Sequence, residues 1–194
     1  MAPSRLVLAS GSAYRRALLA RLRVPFEWRA PDVDESPLRG EAPAKRAARL
    51  AADKAGALRE AFPAACIVGS DQVAVCAGGV LGKPGSARDA REQLERCAGQ
   101  CVEFFTAACL IDPGSELMQT HVDRTVVHLR KLSAAQIERY VALDEPYDCA
   151  GAFKAESLGI ALFERADSSD PTALIGLPLI WLAAALTRAG IEVP

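Results

Sequence analysis

Apolar residues fall along this chain in short runs of two periods, and these runs predict the elements. Leu6–Ala9 is an unbroken apolar run and predicts a strand, which leads through Ser10-Gly11-Ser12 into a helix over about Ala13–Leu22. A loop rich in Pro and Asp, Pro31 to Gly40, precedes a long helix from Pro43 to about Ala61, whose stripe is Ala47, Leu50, Ala51, Leu58 and Ala61. The run Ala64–Ala77, A-A-C-I-V-G-S-D-Q-V-A-V-C-A, is almost wholly apolar, as a strand buried on both faces should be. Gly78-Gly79 reads as a turn and Gly82-Lys83-Pro84 as a rigid one, with a short strand between them and a helix over Ala87–Cys97 beyond. Two longer strands, about Val102–Ile111 and Met118–Leu129, read as an antiparallel pair joined at Asp112-Pro113-Gly114. Ser133 caps a helix to about Leu143, Cys149–Glu156 is irregular, Gly159–Phe163 returns as a strand, and a helix closes the chain over Leu177–Ala189. The alternation predicts an α/β fold with a mixed central sheet, two lobes and a cleft between them, formed by residues 1–194 as a single domain.

Three positions break the pattern. Asp71, flanked by Ser70 and Gln72, places a carboxylate in the buried strand. Such a group costs several kcal/mol, roughly, unless a cation, a metal or hydrogen bonds answer it. Arg15 shares the face of Leu18 and Leu19, so it points toward the protein. Lys54 stands where the stripe of the long helix should continue, beside residues too small to shield its stem, and is expected to reach a buried anion. On that reading, Lys54→Met holds or raises stability while activity falls.

Composition narrows the chemistry. The 194 residues are 51% hydrophobic, enough for a substantial core. A net charge of −1 gives no reason to expect a nucleic-acid partner, so an anion site must be a local gathering of cations. The apolar stretches are too short for a leader or a membrane span, which reads as a cytoplasmic protein with no membrane partner. The six cysteines lie mostly in apolar contexts, and Cys97 and Cys101 lack the second pair that a zinc site needs. The small-residue turn Ser10-Gly11-Ser12 opens a helix carrying Arg15 and Arg16, a setting suited to phosphate. Asp32, Asp34 and Glu35 place three acids in four residues. Carboxylates for a hard divalent cation such as Mg²⁺ or Mn²⁺, with cations for a polyphosphate, suit phosphoryl or nucleotidyl chemistry.

The motifs S-x-S-x-x-R-R (Ser10, Ser12, Arg15, Arg16), D-V-D-E (Asp32 to Glu35), Lys54, G-S-D-Q (Gly69 to Gln72), G-K-P (Gly82 to Pro84) and C-A-G-A-F-K-A-E (Cys149 to Glu156) occur in this order. In this the chain resembles the Maf family of nucleoside triphosphate pyrophosphatases. The resemblance implies an ITPase-like fold with the active site in the cleft, and a divalent metal, Mg²⁺ or Mn²⁺, as cofactor. It also implies hydrolysis of a nucleoside triphosphate to the monophosphate and pyrophosphate. The G-S-D-Q and F-K-x-E forms look like the branch that acts on 7-methyl-GTP, whose specificity positions map onto Tyr14, Gln72 and Glu156. That branch usually shows Pro-Trp where this chain has Ala13-Tyr14. On this resemblance Ser10, Ser12, Arg15, Arg16, Lys54 and Lys83 hold the triphosphate, Glu35 and Asp71 bind the metal, and Asp71 is the general base. The alternatives are a dTTP/UTP pyrophosphatase, or a nucleotide-binding regulator of septum formation without significant turnover. A homodimer is compatible with all three.

Overall fold

The computed structural model describes residues 5–113 and 118–193. Its elements are β1 (Arg5–Ala9), α1 (Ala13–Ala20), β2 (Glu27–Arg29), α2 (Pro43–Gly56), β3 (Ala65–Cys76), β4 (Gly79–Leu81), α3 (Ala87–Cys97), β5 (Cys101–Ile111), β6 (Met118–Leu129), α4 (Ala134–Asp144), β7 (Phe163–Asp167) and α5 (Leu179–Arg188). Short 3₁₀ turns cover Leu158–Leu162 and Ala173–Ile175. The seven strands form one sheet in the order β2-β1-β3-β5-β6-β7, with β4 paired to β3. β1 runs parallel to β2 and β3, while β3 with β4 and β6 with β7 are antiparallel, so the sheet is mixed as expected.

The chain forms two compact units. The first comprises the described residues of 1–72, 106–123 and 170–194, the second those of 73–105 and 124–169. The core of the first packs Leu6 and Leu8 of β1, Leu18 and Leu19 of α1, Cys66 and Val68 of β3, and Ala108 and Leu110 of β5. Leu182, Ala185 and Leu186 of α5 complete it. α1 is held by Ser12, whose hydroxyl oxygen accepts from Arg15 N. α2 has no side-chain cap and begins with Pro43, which needs no partner for the N–H it lacks. In the second unit Ser133 and Gln136 form a reciprocal capping box at the start of α4, as the Ser133 cap predicts.

Four elements depart from expectation. α1 ends at Ala20 because i→i+3 bonds from Leu22 and Arg23 tighten the chain, and Arg23 turns to φ +58. α2 ends at Gly56, where glycine is poorly suited to a helix interior, and residues 57–61 continue as turns. The strand expected at Gly159–Phe163 is a 3₁₀ turn at Leu158–Leu162 followed by β7. Gly159 lies against the backbone of Lys154, where a Cβ would sit 2.4 Å from its carbonyl oxygen, and Ile160 is exposed, so no strand alternation exists there. β2 is exposed throughout and has no apolar pattern to betray it; pairing with β1 alone defines it. β5 and β6 are neighbours, and Gly114 of the expected turn lies outside the described residues.

Candidate active site

A glycine sets the geometry of the first unit's site. A Cβ on Gly69 of β3 would lie 2.1 Å from the Ala51 carbonyl oxygen and 2.7 Å from Ala55 N, so α2 rests backbone-to-backbone on β3. Gly69 and Asp71 share a face of the strand, and Lys54 lies between Ala51 and Ala55 on the buried stripe of α2. The close approach brings the two anomalous residues together. Lys54 Nζ donates to Asp71 Oδ1 at 2.7 Å and stands 2.7 Å from Glu35 Oε1. Lys54 and Asp71 are 7% and 6% exposed, whereas more than half of the Glu35 side chain meets solvent.

The loop that carries Glu35 is tied to α2. Arg46 Nη2 donates to the Glu35 carbonyl oxygen at 3.0 Å, and Arg49 Nη2 to that of Ser36 at 3.2 Å. Arg49 also grips Glu41 through Nε (2.7 Å) and Nη2 (2.8 Å), which pulls the Glu41 carboxyl down to about 2. Asp34, one of the three loop acids, accepts from Ser36 N at 2.9 Å and so shapes the turn.

Arg15 reaches the same place from α1. Its Nε donates to the Gly176 carbonyl oxygen at 2.9 Å, an oxygen that also accepts from Ser70 Oγ at 2.9 Å. Burial lowers the pKa of the Arg15 guanidinium, and the charges of Asp71 and Glu35 oppose that shift. It stays charged. Ser10 is buried and its Oγ accepts from Ser12 N at 3.2 Å, as Ser12 Oγ does from Arg15 N at 3.3 Å. In both bonds the serine oxygen accepts, so each hydroxyl keeps a hydrogen to donate. Arg16 lies 4.0 Å over the Trp28 ring and donates to the Gly11 carbonyl oxygen at 3.1 Å. Tyr14 is half-buried on the same helix.

Gln72 is oriented by its amide nitrogen. Nε2 donates among Thr106 Oγ1 (2.9 Å), Leu174 O (3.0 Å) and Ala173 O (3.1 Å). The amide therefore presents only its carbonyl oxygen as a group for a ligand. The segment that receives Gln72 and Arg15 is built on Asp170 and Thr172, which sequence reasoning missed. Asp170 Oδ1 accepts from Thr172 N at 2.8 Å and Oδ2 from Ile180 N at 2.7 Å, while Thr172 Oγ1 donates to Leu177 O at 2.9 Å. The signal was Ser168-Ser169-Asp170-Pro171-Thr172, a turn sequence ahead of the last helix.

Lys83 and Glu156 belong to the second unit. Lys83 is exposed on the loop between β4 and α3, which Gln93 Nε2 steadies by donating to the Gly82 carbonyl oxygen at 3.2 Å. Glu156 follows Lys154, whose Nζ donates to the Asp144 carbonyl oxygen at 2.7 Å and whose N donates to Tyr140 Oη at 3.0 Å. Desolvation raises the Glu156 carboxyl above its ordinary range, and the charges of Asp144 and Asp148 add to that.

Glu35 and Asp71 present oxygens to one cationic atom, the Lys54 ammonium, at 2.7 Å each. Hard carboxylate oxygens converging on a cation, with one carboxylate open to solvent, fit Mg²⁺ or Mn²⁺. Such ions take one or two protein carboxylates and complete their shell with water and phosphate. Among the described residues no third His, Cys, Asp or Glu joins them. Nor is any helix among those residues long and apolar enough to cross a membrane.

Comparison with known proteins places this geometry in context. The family model described as Maf-like protein matches residues 5–189. A Pseudomonas putida protein named 7-methyl-GTP pyrophosphatase is 51% identical over 189 residues, 97% of this chain and 98% of that protein. A protein of the same name from Xanthomonas oryzae pv. oryzae is 52% identical over 190 residues, 98% and 99% of the two chains. Among solved structures, a HAM1 protein from Coxiella burnetii matches with a TM-score of 0.50 at 15% identity, covering 95% of this chain and 99% of that one. That likeness speaks to the ITPase-like fold alone.

Proposed function

The chain belongs to the Maf family, and from that premise we propose that it hydrolyses 7-methyl-GTP to 7-methyl-GMP and pyrophosphate, working as one domain with a divalent metal. The observation that carries the reading is the cluster of Lys54, Arg15, Asp71 and Glu35: two desolvated cations set among two carboxylates. A purely structural pair needs neither the second cation nor the solvent-open acid. The triphosphate adds anionic charge for Arg15, whose Nε is already held by the Gly176 carbonyl oxygen.

In this reading Asp71 takes the proton of the water that attacks the α-phosphorus. Lys54 turns from Glu35 toward phosphate while it keeps Asp71 in place, and Arg15 stabilises charge on the phosphoryl oxygens. Ser10 and Ser12 donate their free hydroxyl hydrogens to phosphate, and Arg16 and Lys83 bind the outer phosphates. Glu35 and Asp71 hold Mg²⁺ or Mn²⁺, which when bound neutralises phosphate charge and polarises the scissile group. Pyrophosphate is the leaving group.

The base assignments follow from each residue's surroundings. Gln72 offers an acceptor oxygen, suited to a purine N–H. Tyr14 offers a ring for stacking. Glu156 carries a carboxylate that desolvation, and to a lesser degree its acidic neighbours, destabilise, and a methylated purine ring is positively charged, so the two relieve each other. The test is kcat/KM for pyrophosphate release across 7-methyl-GTP, GTP, dTTP and UTP. The expected order puts 7-methyl-GTP clearly first, and Glu156→Gln narrows its lead over GTP. Equal or better turnover of dTTP and UTP moves the protein to the pyrimidine reading, and binding without turnover to a regulator.

A further inference from the structure

The second unit carries a side-chain relay that the proposed reaction does not use. Cys101 opens β5, His128 lies in β6, and Asp167 closes β7, three successive strands of the sheet. Cys101 Sγ is 3.2 Å from His128 Nδ1, and His128 Nε2 is 2.9 Å from Asp167 Oδ2. The order is nucleophile, base and orienting acid, each within hydrogen-bond reach of the next. Arg165 donates to Asp167 Oδ2 through Nε (3.2 Å) and Nη2 (3.0 Å). The bond from His128 and those from Arg165 lower the Asp167 carboxyl, which keeps it ionised and an acceptor only. In the tautomer whose Nε2 hydrogen goes to Asp167, the Nδ1 lone pair faces the thiol. Arg165 Nη2 also lies 3.1 Å from Nε2 and, as a donor only, competes with the ring for hydrogen bonding there as well as bonding the carboxylate. Glu103 and Arg124, on the same two strands as Cys101 and His128, pair with each other at 2.7 Å.

The other cysteines lack this setting. Cys66, Cys76, Cys97 and Cys109 are buried, and burial pushes the Cys66 thiol up to about 11 and the Cys97 thiol to about 12. Cys149 is half-buried and its thiol points at the Asp148 carboxylate, 3.4 Å away, whose charge opposes a thiolate. Cys101 alone among the six is exposed.

We propose that Cys101 is a nucleophilic thiol that forms a mixed disulfide with low-molecular-weight disulfides, His128 acting as its base and Asp167 as the residue that positions His128. In the step the Cys101 S–H proton passes to His128 Nδ1 as the sulfur forms a bond to one sulfur of the disulfide. The S–S bond of that disulfide breaks, and its other sulfur leaves as a thiolate with the bonding electron pair. Cys101 is thereby oxidised and half of the added disulfide is reduced to a thiol. A free thiol near neutral pH is only a few per cent thiolate, so a positioned base has about tenfold or more to gain.

The experiment treats the full chain with glutathione disulfide near neutral pH, follows intact mass with time, and maps the adduct by peptide digestion. One glutathionyl group is expected on Cys101, absent in Cys101→Ser. The rate constant is expected to fall about tenfold in His128→Gln, and also in Asp167→Asn, while the circular dichroism of both variants stays that of the wild type. Dithiothreitol reverses the adduct. An adduct on Cys149 instead, no adduct at all, or a rate that His128→Gln leaves within about twofold of wild type overturns the proposal.

Discussion

Lys54→Met separates a structural lysine from one that answers a buried acid. The Lys54 and Asp71 side chains are 8% and 9% exposed and meet at 2.7 Å. Removing one partner of a buried pair typically costs about 3–5 kcal/mol, because the other charge is left in low dielectric. Arg15 also pulls on Asp71, and Glu35 is open to solvent and loses little. The low end therefore applies, about 3 kcal/mol. For a chain of this length that lowers Tm by about 6–12 °C, and with a urea slope of about 2 kcal/mol/M it moves the midpoint by about 1.5 M. This reverses the expectation drawn from the apolar stripe alone, in which Met fits and stability holds or rises. In Lys54→Met/Asp71→Asn both charges are gone, and at least half of the loss returns. Urea unfolding of wild type, both single variants and the double variant gives a coupling of about 2 kcal/mol. A Lys54→Met protein as stable as the wild type, with coupling below about 0.5 kcal/mol, refutes the buried-pair reasoning.

Three other perturbations test neighbouring parts of the site. Gly69→Ala sets a methyl 2.1 Å from the Ala51 carbonyl oxygen and must push α2 off β3; the expected cost is about 3 kcal/mol, with activity lost because Lys54 and Asp71 part, as thermal unfolding and turnover would show. Glu41 has a folded-state pKa of about 2 through its bonds from Arg49, depressed from an ordinary value of about 4.3, so its contribution to stability is present above about 4.3 and is lost as the pH falls toward 2. Carbon-detected titration of Glu41 should give about 2 in the wild type and a value near 4.3 in Arg49→Met, with the acid slope of stability shallower in the variant. Arg46→Ala releases the carbonyl of Glu35 without touching substrate and should raise the metal concentration for half-maximal turnover about tenfold, leaving the maximal rate nearly unchanged.

The sequence exposed the parts of the site that violate a pattern. Asp71 in an apolar strand and Lys54 on an apolar helix stripe are both anomalies, and each is the other's partner. Arg15 was visible for the same reason. What stayed hidden has no pattern to break. β2 is exposed along its length and exists by pairing. Asp170 and Thr172 act through local bonds within one turn, which read in sequence as any turn. The Gly159 run looked like a strand because it is apolar, yet its glycine packs on the Lys154 backbone and coils it into a 3₁₀ turn. His128 offered no nearby ligand in the sequence, since Cys101 and Asp167 reach it only through strand pairing.

Oxygen tracing in water enriched in heavy oxygen tests the central claim most directly. The enzyme is given 7-methyl-GTP with Mg²⁺, and the products are separated and weighed. Attack of Asp71-activated water on the α-phosphorus predicts 7-methyl-GMP carrying one heavy oxygen, unlabelled pyrophosphate, and no turnover by Asp71→Asn. Label in the pyrophosphate, or release of orthophosphate with 7-methyl-GDP, contradicts the account.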